Sequence, residues 1–149
     1  MEVFVRGARS SRQEWAQAHS VPSSEIPSLN DSQKAEAHRG SISEEEFARI
    51  AYAEHLWQQK TLQKILRFGR WLNGKVAERN PGVQIVRVEL DTLSGRIEIA
   101  LSESGETFDF EMDEDLVEKF LTTGSSESEN SIFRLLDVYV PREQIAKAS

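Results

Sequence analysis

SISEEEFARIAYAEHLWQQKTLQKILRFGRWLNGKVAERNPG, residues 41–82, is the stretch that decides the fold. It reads as one long helix with a signed start and stop. Ser43 followed by Glu46 is a capping-box pair: the hydroxyl accepts from a backbone N–H that has no partner inside the helix, and the glutamate reaches back to the N–H of the cap. Ile42 and Phe47 stand at the spacing of a hydrophobic staple. Asn80-Pro81-Gly82 forbids continuation, because proline lacks the N–H donor and biases the residue before it away from helix.

Along this helix Phe47, Ile50, Ala51, Leu62, Ile65, Phe68, Gly69, Leu72 and Val76 recur at spacings of three and four, the stripe of a helix with one buried face. Glu54, His55 and Gln58 interrupt the stripe, so the helix is expected to bend or change partners there. Leu56 and Trp57 lie off it and point to a second covered surface. Gly69 and Gly74 each weaken a continuous rod by about 1 kcal/mol relative to alanine.

After Gly82 the hydrophobic period changes from 3.6 to 2. Val86, Val88 and Leu90 alternate with Arg87 and Glu89; Ile97, Ile99 and Leu101 alternate with Arg96, Glu98 and Ala100; Phe108, Phe110 and Met112 alternate with Asp109 and Glu111. Turn residues separate the three runs, at Asp91–Gly95 and Glu103–Gly105, both short enough for hairpins. The expected fold class is α+β: a long helix packed on a three-stranded antiparallel meander with one apolar face, followed by a short helix, in the order α-β-β-β-α, with an extended polar N-terminal arm. The helix stripe from Phe47 to Val76 is the expected cover of the sheet. Asp113 caps the short helix, which places Leu116, Val117, Phe120 and Leu121 on one face and ends at Gly124.

Three segments follow from these boundaries. Residues 1–40 form the polar arm, disordered alone or docked on a partner; residues 41–124 form the α+β core domain; residues 125–149 are a linker and C-terminal extension. In the arm, Ser11 to Glu14 caps a short helix over about 12–19 and Asp31 to Arg39 forms another ending at Gly40, while Val3, Phe4, Val5, Trp15, Val21, Ile26 and Leu29 follow no common period. Ser125 to Ser131 reads as linker. Residues 132–140 suit a helix or a strand equally, and Pro141 ends that element or opens a last short helix through Lys147.

The 149 residues suffice for one domain with a real core and tails. The absence of cysteine excludes disulfides, thiolate metal sites and cysteine nucleophiles, and fits a reducing, cytoplasmic setting. No apolar run approaches the roughly 20 residues that cross a bilayer, so no membrane partner is expected. Met1 to Ala18 is rich in Arg and Ser, but Glu2 and Glu14 break the acid-poor pattern of a transit peptide.

The net charge of −7 is unevenly spread: residues 1–40 balance, residues 41–82 carry seven basic against five acidic groups, and residues 83–149 carry six against fifteen. Lys60, Lys64, Arg67, Trp71 and Lys75 share one side of the long helix, a basic stripe suited to an acidic protein surface or to phosphates. The order helix, three-stranded meander, helix over 43–123 resembles the double-stranded-RNA-binding domain. That family opens its second helix with basic residues; Asp113-Glu114-Asp115 stands there in this chain and repels phosphate.

Catalytic signatures are missing: there is no phosphate loop, no nucleophile elbow and no His-Glu-x-x-His. His19, His38 and His55 are scattered, and the acids at Asp109, Glu111, Asp113, Glu114 and Asp115 lack the spacing of a calcium loop. No enzyme, metal or cofactor is therefore expected. The expected function is a non-catalytic protein–protein interaction module, an adaptor, chaperone-like or accessory subunit, with a protein partner or a second copy of itself. Its candidate contact residues are Phe4, Trp15, Ile26, Trp57, Lys60, Lys64, Arg67 and Trp71. Nucleic-acid binding through the basic stripe is the second reading.

Overall fold

The long helix begins and ends where its signals place it. In the computed structural model, which describes residues 1–7 and 10–142, the elements run β1 (Glu2–Arg6), α1 (Arg12–Ser20), a 3-10 turn (Ser23–Glu25), α2 (Asp31–Arg39), α3 (Glu44–Arg79), β2 (Val83–Asp91), β3 (Arg96–Glu103), β4 (Glu106–Asp113), α4 (Glu114–Thr123) and α5 (Ser126–Tyr139). The fold is α+β, with the long helix, the meander and the following helix in the expected order.

Ser43 Oγ accepts from the Glu46 N–H at 3.1 Å, so the cap of α3 forms. The Glu46 carboxylate, however, accepts from the Nε2–H of His19 at 2.8 Å. At the other end the Asn80 side chain accepts from the Gly82 N–H, and the Val83 N–H donates to the Asn80 carbonyl, turning the chain directly into β2.

By proximity of its backbone the described chain divides into two units, residues 1–7 with 62–142, and residues 10–61; the boundary falls within α3 at Thr61–Leu62.

The first unit holds the sheet. β2, β3 and β4 form the antiparallel meander, closed at one hairpin by Ser104 and Gly105, both at positive φ as a two-residue primed turn requires. The sheet has four strands where three were expected: β1 lies along β2, parallel, pairing Glu2 through Arg6 with Arg87 through Asp91.

Within β2 the alternation is also corrected, because a bulge between Ile85 and Arg87 leaves Val86 out of register and half-buried. Val83 and Ile85 face the core before the bulge, Val88 and Leu90 after it. The Ile85 N–H is taken up by Asn73 Oδ1 of α3 at 3.0 Å.

One core joins sheet and helices: Ile65, Phe68, Leu72 and Val76 of α3, the inward residues of β2 to β4, Val117 of α4, and Ile132 and Leu136 of α5. Gly69 brings α3 so close to the sheet that an added Cβ would stand 3.2 Å from Val88 Cγ2 and 3.0 Å from Met1 Cε. The cover is therefore the second half of the stripe; Phe47, Ile50 and Ala51 belong to the other unit.

The linker reading of Ser125 to Ser131 is overturned, since Ser125 caps α5 by accepting from the Ser128 N–H and the helix continues through Tyr139. Its buried Ile132 and Leu136 are four apart, which settles 132–140 as helix up to Tyr139. Most of the short helix expected after Pro141 lies outside the described residues.

In the second unit α1, the 3-10 turn and α2 lie in one cluster with the first half of α3. Among the described residues its fully buried apolar side chains are Ala18, Ala37 and Ala53, while larger ones such as Phe47, Ile50, Leu56 and Trp57 are half-buried. Polar ties add to these contacts. Arg49 of α3 donates through Nη1 to the carbonyls of Ala18 at 2.7 Å and Val21 at 3.0 Å, and through Nη2 to Ser23 Oγ at 3.2 Å. A fixed cation at the C-terminus of α1 suits the helix dipole and supplies partners to end-of-helix carbonyls.

Candidate functional site

The eight candidate contact residues are divided between the two units. Phe4, Lys64, Arg67 and Trp71 belong to the sheet unit; Trp15, Ile26, Trp57 and Lys60 belong to the helical unit.

In the sheet unit, Trp71 is half-buried and packs against the core, with its ring 4.3 Å from Phe120 and 6.0 Å from Phe68 and Phe133. Its indole serves the interior as much as the surface. Lys64 donates to Glu118 of α4 at 2.7 Å, and Lys75 sits 3.7 Å from Glu78. Arg67 is exposed and has no ion pair among the described residues. Much of the basic stripe is thus neutralised from within.

Phe4 lies on the outer side of the sheet, 44% exposed, opposite Glu89 of β2. The sheet carries cross-strand ion pairs: Arg6 with Glu89 at 2.8 Å beside Phe4, Arg87 with Glu98 at 2.6 Å, and, between β3 and β4, Arg96 with both Glu111 and Asp113. The Asp113 hydrogen bond, then its charge and that of Glu111, hold the Arg96 guanidinium still more firmly protonated than usual. Two acids of the cluster Asp109 to Asp115 are thus paired with Arg96. Among the described residues no three His, Asp or Glu side chains converge on a metal position.

In the helical unit, Trp15 is half exposed and stacks on His19 with ring centroids 3.8 Å apart. Ile26 lines a cleft of about 340 Å³ with Pro27, Leu29, Lys34 and Ala48. Trp57 is half-buried on α3. Lys60 reaches to 3.9 Å from the carboxylate of Glu14, a buried side chain that also accepts from the Ser11 N–H.

Sequence reasoning passed over His19. Its Nδ1 lies 2.8 Å from the Trp15 carbonyl and its Nε2 lies 2.8 Å from Glu46 Oε1. The Trp15 carbonyl first, and the Glu46 carboxylate second, push its pKa up. The only local signal was the fourfold spacing from Trp15, which is common on any helix.

No helix of the described residues is long and apolar enough to cross a membrane. Comparison with known proteins finds no matching family model, no matching curated protein and no matching solved structure.

Proposed function

We propose that the chain is a cytoplasmic protein-binding module, an adaptor or accessory subunit, whose contact surface is centred on the outer side of the sheet. The observation that carries this reading is the placement of Phe4. An aromatic side chain stands half exposed on a strand face that also carries the Arg6–Glu89 and Arg87–Glu98 ion pairs, which is the arrangement of an apolar anchor beside polar groups. Trp15 is a second exposed aromatic, on the other unit.

Pairing of Lys60, Lys64 and Lys75 with Glu14, Glu118 and Glu78 favours a protein partner over nucleic acid, because each intramolecular pair removes a charge that phosphates would need.

Affinity isolation with the full chain, compared with Phe4→Ser and Trp15→Ala, tests the proposal. The expected result is a defined partner, or a concentration-dependent self-assembly, that Phe4→Ser abolishes while circular dichroism stays unchanged. A chain that remains monomeric and binds no protein, yet binds RNA with an affinity lost on Arg67→Ala and on added salt, would transfer the function to nucleic acid.

A further inference from the structure

Both ring nitrogens of His19 face atoms that have no hydrogen to give. The Trp15 carbonyl and the Glu46 carboxylate are acceptors only, each at 2.8 Å. A neutral imidazole carries one N–H and satisfies one of them; the imidazolium satisfies both. The proton could otherwise sit on Glu46, but imidazole is the stronger base and keeps it.

We infer that His19 is a proton-held clasp: protonated, it ties α1 to the first turn of α3, and when the proton leaves at higher pH the ring loses its charge and one of its two hydrogen bonds, so that its attraction to the Glu46 carboxylate falls and α1 is held more weakly within the helical unit.

Three polar ties join α1 and the residues just after it to α3: His19 to Glu46, Arg49 to the Ala18 and Val21 carbonyls, and Lys60 to Glu14. Only the histidine has an ordinary pKa near neutrality. Among the described residues of the unit only three alanines are fully buried apolar groups and its larger apolar side chains are half-buried, so a lost tie weighs more than it would over a fully buried core.

The charged surroundings are mixed. From α3, Glu46 favours the cation and Arg49, three residues on, opposes it, itself partly offset by Glu45 at 3.8 Å. From α1, Glu14 is already engaged with Lys60 and Ser11, and Arg12 is exposed at the far end of the helix; Glu25 of the 3-10 turn is exposed. The stacked Trp15 ring adds a cation–π attraction to the protonated form.

The pKa of folded His19 is raised, so the clasp is complete below the ordinary histidine value of about 6.5 and is lost as pH rises through the raised value. None of this depends on the proposed binding role.

The test is a ¹⁵N NMR titration of the His19 ring in the full chain, from about pH 5 to about 9 to span the histidine range, with hydrogen exchange of the α1 amides followed in parallel. Wild type should show both ring nitrogens protonated beyond the ordinary midpoint. Its α1 exchange, corrected for intrinsic pH dependence, should rise across the same titration.

Glu46→Gln separates the clasp from general packing. Its amide can donate to a neutral ring, so the midpoint should fall and the α1 exchange should become flat with pH, while exchange in β2 and β3 is untouched. A wild-type midpoint at or below the ordinary value overturns the inference. So does α1 protection that does not change when His19 titrates.

Discussion

Gly7 follows β1 at φ 92°, and a side chain placed on it would run straight into Oγ1 of Thr92. The Thr92 hydroxyl and N–H both donate to the Arg6 carbonyl, at 2.8 and 3.2 Å, so this contact fixes the end of the parallel strand. Gly7→Ala should cost about 1–3 kcal/mol for the left-handed backbone alone, with the collision in addition. Because the damage lies where β1 leaves the sheet, hydrogen exchange should show β1 and the edge of β2 opening first, with α5 still protected. An unchanged urea midpoint would contradict this placement of β1.

Asn73 and Ile85 give a second expectation. β1 pairs with β2 only from Arg87 to Asp91 and does not reach Ile85, and the Asn73 side chain supplies the acceptor for the Ile85 N–H from α3. Asn73→Ala leaves that half-buried donor unpaired and should destabilise the chain by about 1–3 kcal/mol. Asn73→Asp keeps an oxygen at the same position and should recover most of the loss. Denaturation in urea, followed by circular dichroism, reads both; equal losses for the two variants would mean that volume, not the hydrogen bond, matters at this position.

Leu136 tests the reassignment of the C-terminal segment. It is fully buried in the common core, whereas the sequence reading put it in an ambiguous stretch after a linker. Leu136→Ala should cost about 2–5 kcal/mol. Val138, in the same helix, is 71% exposed, and Val138→Ala should fall within about 0.5 kcal/mol of wild type. Similar effects at the two positions would return the segment to a strand or a loose tail.

What the sequence made legible was local. Ser43, Asn80-Pro81-Gly82, Asp113 and Gly124 each fix backbone geometry within a few residues, and the elements they bound are present at those places. β1 was not legible, because it brings only Val3 and Val5 to the core and pairs with residues more than eighty positions away. The bulge at Val86 leaves no local mark, since either phase of Val83, Ile85, Val86 and Val88 offers apolar residues to one side. α5 was hidden by a serine- and glutamate-rich first turn that is as good a helix start as it is a linker. Among the candidate contacts the basic stripe is a pattern of one helix, whereas the partner of Lys64 is Glu118, 54 residues away. Glu46 shows the same limit: a perfect capping-box residue is drawn away by His19, 27 residues earlier.

Gly69 and Gly74 look alike in the sequence of α3 and should respond oppositely to alanine. Around Gly74 an added Cβ meets nothing within 4 Å, so Gly74→Ala gains helix propensity without a clash and should stabilise the chain by about 1 kcal/mol. At Gly69 the same gain is set against Val88, which is fully buried beneath the helix and has nowhere to move, and against the Met1 side chain, which is partly exposed and can yield. Crowding of a packed interior costs about 1–3 kcal/mol, so the net effect of Gly69→Ala should be a loss. Urea midpoints of the two single variants decide the matter: a stabilised Gly69→Ala would mean that α3 does not press on β2 at Val88, and the close seating of the long helix on the sheet would have to be abandoned.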